Sequence, residues 1–133
     1  MSPDEAEPPQ CILIVDDDET ILRILARILK QHGYETDTAE SGRKALDKSA
    51  TKLYIAAVID MRLGDMNGLD LLEPLRTISP KMTKIMLTGH PSDEDRVRAL
   101  ERGDNFYLAK PIKAELLIKI IDGKLKKEKP KLA

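Results

Sequence analysis

Tyr54-Ile55-Ala56-Ala57-Val58-Ile59-Asp60 is a short apolar run without polar alternation, and it stops abruptly at one carboxylate. A run this short and uniformly apolar reads as a strand buried on both faces, and such strands belong to parallel sheets. Asp60 then stands at the carboxyl end of the strand. In open parallel α/β sheets that edge is where ligands bind. Asp60 is therefore the candidate for the chemistry.

Upstream, Cys11-Ile12-Leu13-Ile14-Val15 is a second wholly apolar run, and it ends in Asp16-Asp17-Asp18-Glu19, four acids at the edge of a buried strand. Over residues 20–32 the apolar residues Ile21, Leu22, Ile24, Leu25, Ile28 and Leu29 recur at helical spacing, with Asp18 or Glu19 at the amino end and Gly33 as the stop. Residues 34–39, with Thr36 and Thr38 among charges, have the mixed pattern of an edge strand. Ser41 is a natural cap for a second helix running to about Ala50.

Downstream, residues 67–78 place Leu69, Leu71, Leu72 and Leu75 on one helical face, with a local distortion expected at Pro74. Residues 83–88 form the fourth strand. His90-Pro91-Ser92 opens a charged helix whose apolar points are Val97 and Leu100, with Gly103 as its stop. That helix is thinly anchored. Phe106-Tyr107-Leu108-Ala109 is a fifth strand broken by Lys110-Pro111, and Leu116, Leu117, Ile120 and Ile121 give the last helix its buried stripe. Strands alternating with helices predict a doubly wound five-stranded parallel sheet of order 2-1-3-4-5, a flavodoxin-like three-layer α/β/α fold. In that order the winding reverses between strands one and three, which gathers Asp16, Asp17 and Asp60 around one crevice, with Thr88 and Lys110 on the same rim.

At 133 residues and 41% hydrophobic the chain suits one domain with a real core. Its 22 Lys+Arg nearly cancel 23 Asp+Glu, so no global field draws it to nucleic acid or anionic lipid. Cys11 has no internal partner, which fits a reducing compartment. Residues 1–10, rich in Pro and acids, read as a disordered leader rather than a signal peptide or anchor, and a cytoplasmic protein is expected. The folded domain is expected over residues 11–127, followed by a flexible tail over 128–133.

Carboxylates gathered in one crevice repel: a pair about 5 Å apart costs roughly 3 kcal/mol at an effective dielectric near 20. Either a proton or a cation compensates. Oxygen-only ligands on a partly open rim suit Mg2+, and neither thiolate nor paired-histidine zinc spacings occur. A carboxylate in such a site can attack a phosphoryl group to give an aspartyl phosphate, with Lys110 as a second cation and the Thr88 hydroxyl as a hydrogen-bond donor.

At these residues the chain resembles a known family. Ile14-Val15-Asp16-Asp17-Asp18-Glu19, Val58-Ile59-Asp60-Met61-Arg62-Leu63, Leu87-Thr88-Gly89 and Leu108-Ala109-Lys110-Pro111 are similar to the receiver domains of two-component response regulators, including the chemotaxis regulators. Each fragment is weak alone, but the ordered set, each member at the end of an expected strand, is highly specific. The resemblance implies that Asp60 is the phosphoacceptor. It makes Asp16 and Asp17 the acidic pair that holds Mg2+ together with the Arg62 main-chain carbonyl. It also makes Thr88 the switch hydroxyl, Tyr107 the switch aromatic, Lys110 the conserved-type lysine and the Lys110-Pro111 bond cis. Gly64 departs from the proline many relatives carry, which points to a looser loop after Asp60.

The implied function is a phosphorylation-dependent switch, not an enzyme acting on outside substrates. A sensor histidine kinase or phosphotransfer protein is the expected donor. A metal-dependent phosphatase normally adds a second acid two residues after the nucleophile, and that place is Arg62. A flavin or nucleotide carrier would need a Gly/Ser/Thr-rich loop after strand one, where this chain has acids. A pseudo-receiver has no reason to keep all five site positions. Asp93, Glu94, Asp95, Arg96, Arg98, Glu101, Arg102, Asp104 and Lys119 give the region of the fourth and fifth helices a mixed-charge surface suited to weak, phosphorylation-dependent homodimerisation. No direct contact with nucleic acid or membrane is expected.

Overall fold

The computed structural model describes residues 10–101 and 105–128, the last four of these as backbone only. The leader read over 1–10 and the tail over 128–133 lie outside the described residues except for Gln10 and Glu128, and so do Arg102, Gly103 and Asp104. Strands β1 (Cys11–Val15), β2 (Glu35–Ala39), β3 (Ala56–Asp60), β4 (Thr83–Thr88) and β5 (Asn105–Ala109) form one parallel sheet in the order β2-β1-β3-β4-β5. The helices are α1 (Glu19–Gln31), α2 (Gly42–Thr51), α3 (Leu72–Ile78), α4 (Asp93–Leu100) and α5 (Ala114–Glu128). The doubly wound arrangement and the strand order are those expected.

Alternation along the buried strands divides the core into two layers. Ile12, Ile14, Ala56, Val58, Ile85 and Leu87 pack with Leu22, Leu25 and Leu29 of α1 and Leu117, Ile118 and Ile121 of α5. Leu13, Val15, Ala57, Ile59 and Met86 face Ala45 of α2, Leu75 of α3 and Ala99 of α4. Because β1, β3 and β4 are covered on both faces, their sequences carry no polar alternation.

Local signals set the element ends. Asp18 caps α1 by accepting the Thr20 N–H at 2.9 Å, and Gly33 follows the helix with φ +90°, a conformation open to glycine at no steric cost. Ser41 caps α2 through the Lys44 N–H at 3.1 Å. The expected single third helix is instead a 3-10 turn at Gly68–Leu71 followed by α3. Restarting at Leu72 places Pro74 in the first turn, where a missing N–H costs no intrahelical bond.

Three expected apolar faces are corrected. On α4, Val97 and Leu100 are exposed at 63% and 47%, and the buried contact is Ala99. On α5, Leu116 is exposed while Ile118 is buried; on α1, Ile24 is half exposed. On α1 and α5 the run of apolar residues is wider than the stripe the sheet can cover, so its edge residues remain in solvent, whereas α4 turns the Asp95 and Ala99 face inward and leaves its few larger apolar side chains outside. Lys84, buried in β4 on the α3/α4 side, had no sequence signal distinguishing it from a misplaced charge.

Candidate functional site

The carboxyl edge of the sheet gathers the expected residues because four strands stop at one level. Asp16 follows β1, Asp60 ends β3 opposite Leu87, Thr88 ends β4 opposite Ala109, and Lys110 follows β5. Backbone bonds hold these ends in line: Asp16 N–H to Ala39 O at 3.1 Å, Met61 N–H to Leu87 O at 3.0 Å, and Lys110 N–H to Thr88 O at 2.7 Å. The Lys110-Pro111 bond is cis.

One carboxylate oxygen from each of Asp16, Asp17 and Asp60 lies within 4.8 Å of the others. Asp16 and Asp60 are buried, whereas Asp17 stands exposed at the rim. The Lys110 ammonium meets Asp60 Oδ1 at 2.5 Å and Asp16 Oδ2 at 3.6 Å. Burial pushes the Asp16 carboxyl above the ordinary carboxylate range, the Asp18 N–H that it accepts at 2.9 Å opposes this, and the Asp60 charge adds to it. Burial works against the Lys110 charge, but its hydrogen bond to Asp60 and the charges of Asp60 and Asp16 outweigh burial and raise its pKa. With these oxygens no more than 4.8 Å apart, the two buried carboxylates repel by roughly 3 kcal/mol or more at an effective dielectric near 20. One ammonium cannot neutralise three carboxylates, so the cluster retains an excess of negative charge and an all-oxygen donor set. That set fits a hard divalent cation.

The loop from Asp60 to the 3-10 turn closes on itself through the Arg62–Asn67 antiparallel bridge, the Leu63 N–H to Met66 O bond at 3.1 Å and the Gly68 N–H to Met61 O bond at 2.7 Å. It is also tied outward, because Asp65 accepts the Gly42 and Arg43 N–H groups at 2.9 and 3.0 Å. The looseness expected from Gly64 is thus countered by its neighbour. No signal in the sequence linked Asp65 to a helix that begins more than twenty residues earlier.

Thr88 is buried, and its hydroxyl accepts the His90 N–H at 3.0 Å. As the switch aromatic, Tyr107 is expected to rotate inward on phosphorylation. It already lies inside, 8% exposed and packed in the core layer of α2–α4, and its hydroxyl accepts the Ser92 N–H at 3.1 Å. That bond compensates for burying the phenol and joins β5 to the residue that caps α4.

A doubly wound parallel sheet with an all-oxygen acidic cluster facing a lysine at its carboxyl edge defines an α/β domain whose switch-point crevice fits a divalent cation. Comparison with known proteins narrows this. The sequence pattern of the response regulator receiver domain matches residues 12–122. The chain is 41% identical over 108 residues to the acid tolerance regulatory protein ActR of Sinorhizobium medicae, covering 81% of this chain and 56% of that one. It therefore spans about half the length of that relative. Among solved structures, a CheY-like receiver domain protein from Methanospirillum hungatei is 38% identical with TM-score 0.83, over 90% of this chain and 99% of that one. A response regulator from Burkholderia pseudomallei, described with a phosphorylated aspartic acid and a calcium ion, is 28% identical with TM-score 0.80, over 93% and 77% of the two chains. The chain belongs to the response regulator receiver domain family. It is a signalling switch of two-component systems, and none of its described helices is long and apolar enough to cross a membrane.

Proposed function

We propose that Asp60 accepts a phosphoryl group from the phosphohistidine of a sensor histidine kinase or phosphotransfer protein in the cytoplasm. The observation that carries this is the placement of Asp60 between Asp16, Asp17 and the Lys110 ammonium at the end of a central strand. An Asp60 oxygen attacks phosphorus, the P–N bond breaks, and the electron pair returns to the histidine nitrogen, leaving an aspartyl phosphate. Lys110 is placed to hold one phosphoryl oxygen, and the Thr88 hydroxyl to donate to another. Asp16, Asp17, Asp60 and the Arg62 main-chain carbonyl would hold Mg2+, which when bound supplies charge neutralisation around the transferring group. Attack by water on the same phosphorus returns the carboxylate and inorganic phosphate, a slow autodephosphorylation.

Incubation with Mg2+ and a small phosphodonor, followed by intact mass measurement, tests the reading. One phosphoryl group is expected, lost in mild base as an acyl phosphate is. A base-stable adduct, or none, overturns it.

The output follows from Thr88. Its hydroxyl oxygen accepts the His90 N–H, so drawing that oxygen toward a phosphoryl group pulls on the segment from His90 to Ser92, which Tyr107 holds at its far end. Phosphorylation then shifts the population of the surface formed by α4, β5 and α5, which would bind an output partner or a second copy of the chain in a weak, salt-sensitive dimer. Thr88→Ala is expected to be phosphorylated while shifts of the α4 and β5 amide resonances fall to less than about half of the wild-type response. Equal changes in both proteins would show that the hydroxyl is not the relay.

A further inference from the structure

We propose that Asp65 is a positioning residue of the phosphoacceptor site, tying the loop that carries Arg62 to the amino end of α2. The inference rests on the reading of Asp60, Asp16 and Asp17 as the phosphoacceptor and cation site. The two Asp65 carboxylate oxygens take separate partners, Oδ1 the Gly42 N–H at 2.9 Å and Oδ2 the Arg43 N–H at 3.0 Å. These are opening amides of α2, which have no intrahelical acceptor and sit at the positive end of the helix dipole. The two donors hold the Asp65 carboxyl below the usual range, so it stays charged through neutral pH.

For α2 the clamp is a second cap, since Ser41 already takes the Lys44 N–H. For the loop it has a different weight. The other bonds described for residues 62–67 close the loop on itself or onto the 3-10 turn: Leu63 to Met66, Arg62 to Asn67, and Asn67 Oδ1 to the Leu69 N–H at 2.9 Å. Asp65 connects it to an independent element. Met66 reinforces the junction, because its thioether lies so close to Gly42 that a Cβ there would collide with it. The position of the Arg62 carbonyl, three residues before Asp65, is thereby referred to α2, a helix that contributes no side chain to the acidic cluster.

The test uses the full chain with Asp65→Ala, Asp65→Asn, Ser41→Ala and Asp17→Asn, reading the Mg2+ dissociation constant by calorimetry beside the urea midpoint. Asp65→Ala is expected to weaken Mg2+ binding about tenfold, the scale of losing a residue that supports a metal ligand. Asp65→Asn, which keeps one acceptor oxygen, recovers part of that loss. Ser41→Ala removes the other cap of α2 and lowers the midpoint, but leaves the constant within about twofold because it does not touch the loop. Wild-type affinity in Asp65→Ala, or equal weakening in Ser41→Ala, overturns the positioning role while leaving the site reading intact. Undetectable Mg2+ binding by the wild-type chain, or undiminished binding by Asp17→Asn, overturns the site reading and this inference with it.

Discussion

Asp60→Asn will take up no phosphoryl group under conditions that label the wild-type chain to one equivalent, and its intact mass will stay unchanged. The substitution keeps the shape of the side chain and an oxygen able to accept the Lys110 N–H, so the bond now at 2.5 Å has a successor. What disappears is the anionic oxygen that attacks phosphorus, and an amide cannot take over a mixed anhydride. Fold loss is not the competing explanation, because removing one of three clustered carboxylates relieves repulsion with buried Asp16. Stability should therefore stay within about 1 kcal/mol of wild type by urea unfolding. Undiminished labelling of a folded Asp60→Asn protein would place the acceptor elsewhere.

Gly68→Ala should produce the largest loss of stability, about 2–3 kcal/mol from overpacking. Gly68 opens the 3-10 turn directly against the end of β3. A Cβ there would overlap the Asp60 carbonyl oxygen and come within 3.1 Å of the Asp60 carbonyl carbon and the Met61 Cα. These are backbone atoms of a buried strand end and cannot swing aside as a flexible side chain would. Relief requires either the turn or the carboxyl end of β3 to move, and the second choice moves Asp60 itself. Urea unfolding and Mg2+ titration together should show lost stability and weakened binding. Gly123→Ala in α5 is the contrast, since nothing lies within 4 Å of its Cβ position and the helix should gain up to about 1 kcal/mol. A change below about 0.5 kcal/mol at Gly68 would show that the turn accommodates a methyl group.

The fold was legible where burial on both faces erased alternation, as in Cys11–Val15 and Ala56–Asp60, and where short-range chemistry marked an end, as at Asp18, Gly33 and Ser41. The acidic cluster was legible for the same reason. Carboxylates that end buried strands are costly, and the strand order fixes which of them meet. Long-range contacts were not legible. Asp65 to α2, Tyr107 to Ser92 and Tyr34 to Asp122 each join residues whose local sequence serves another purpose, and their spacing follows from tertiary geometry alone. The faces of α4 and α5 were misread for a related reason. On α5 apolar residues outnumber the positions the sheet covers, and helical periodicity does not say which edge of the stripe is left outside; on α4 so few residues are apolar that periodicity does not single out the face through Ala99.

The shallow seating of α4 has a consequence for amide hydrogen exchange. Ala99 is the buried residue of this helix, whereas α1 presents Leu22, Leu25 and Leu29 to the core. Opening α4 exposes little apolar surface, so its amides should exchange through local openings with weak dependence on denaturant. Those of α1 and of β1, β3 and β4 should await unfolding of the whole domain. The α4 amides are then an intrinsic reporter: any event that remakes the Thr88–His90 or Tyr107–Ser92 bond should register there as altered protection, with the protected core of the sheet serving as its internal standard.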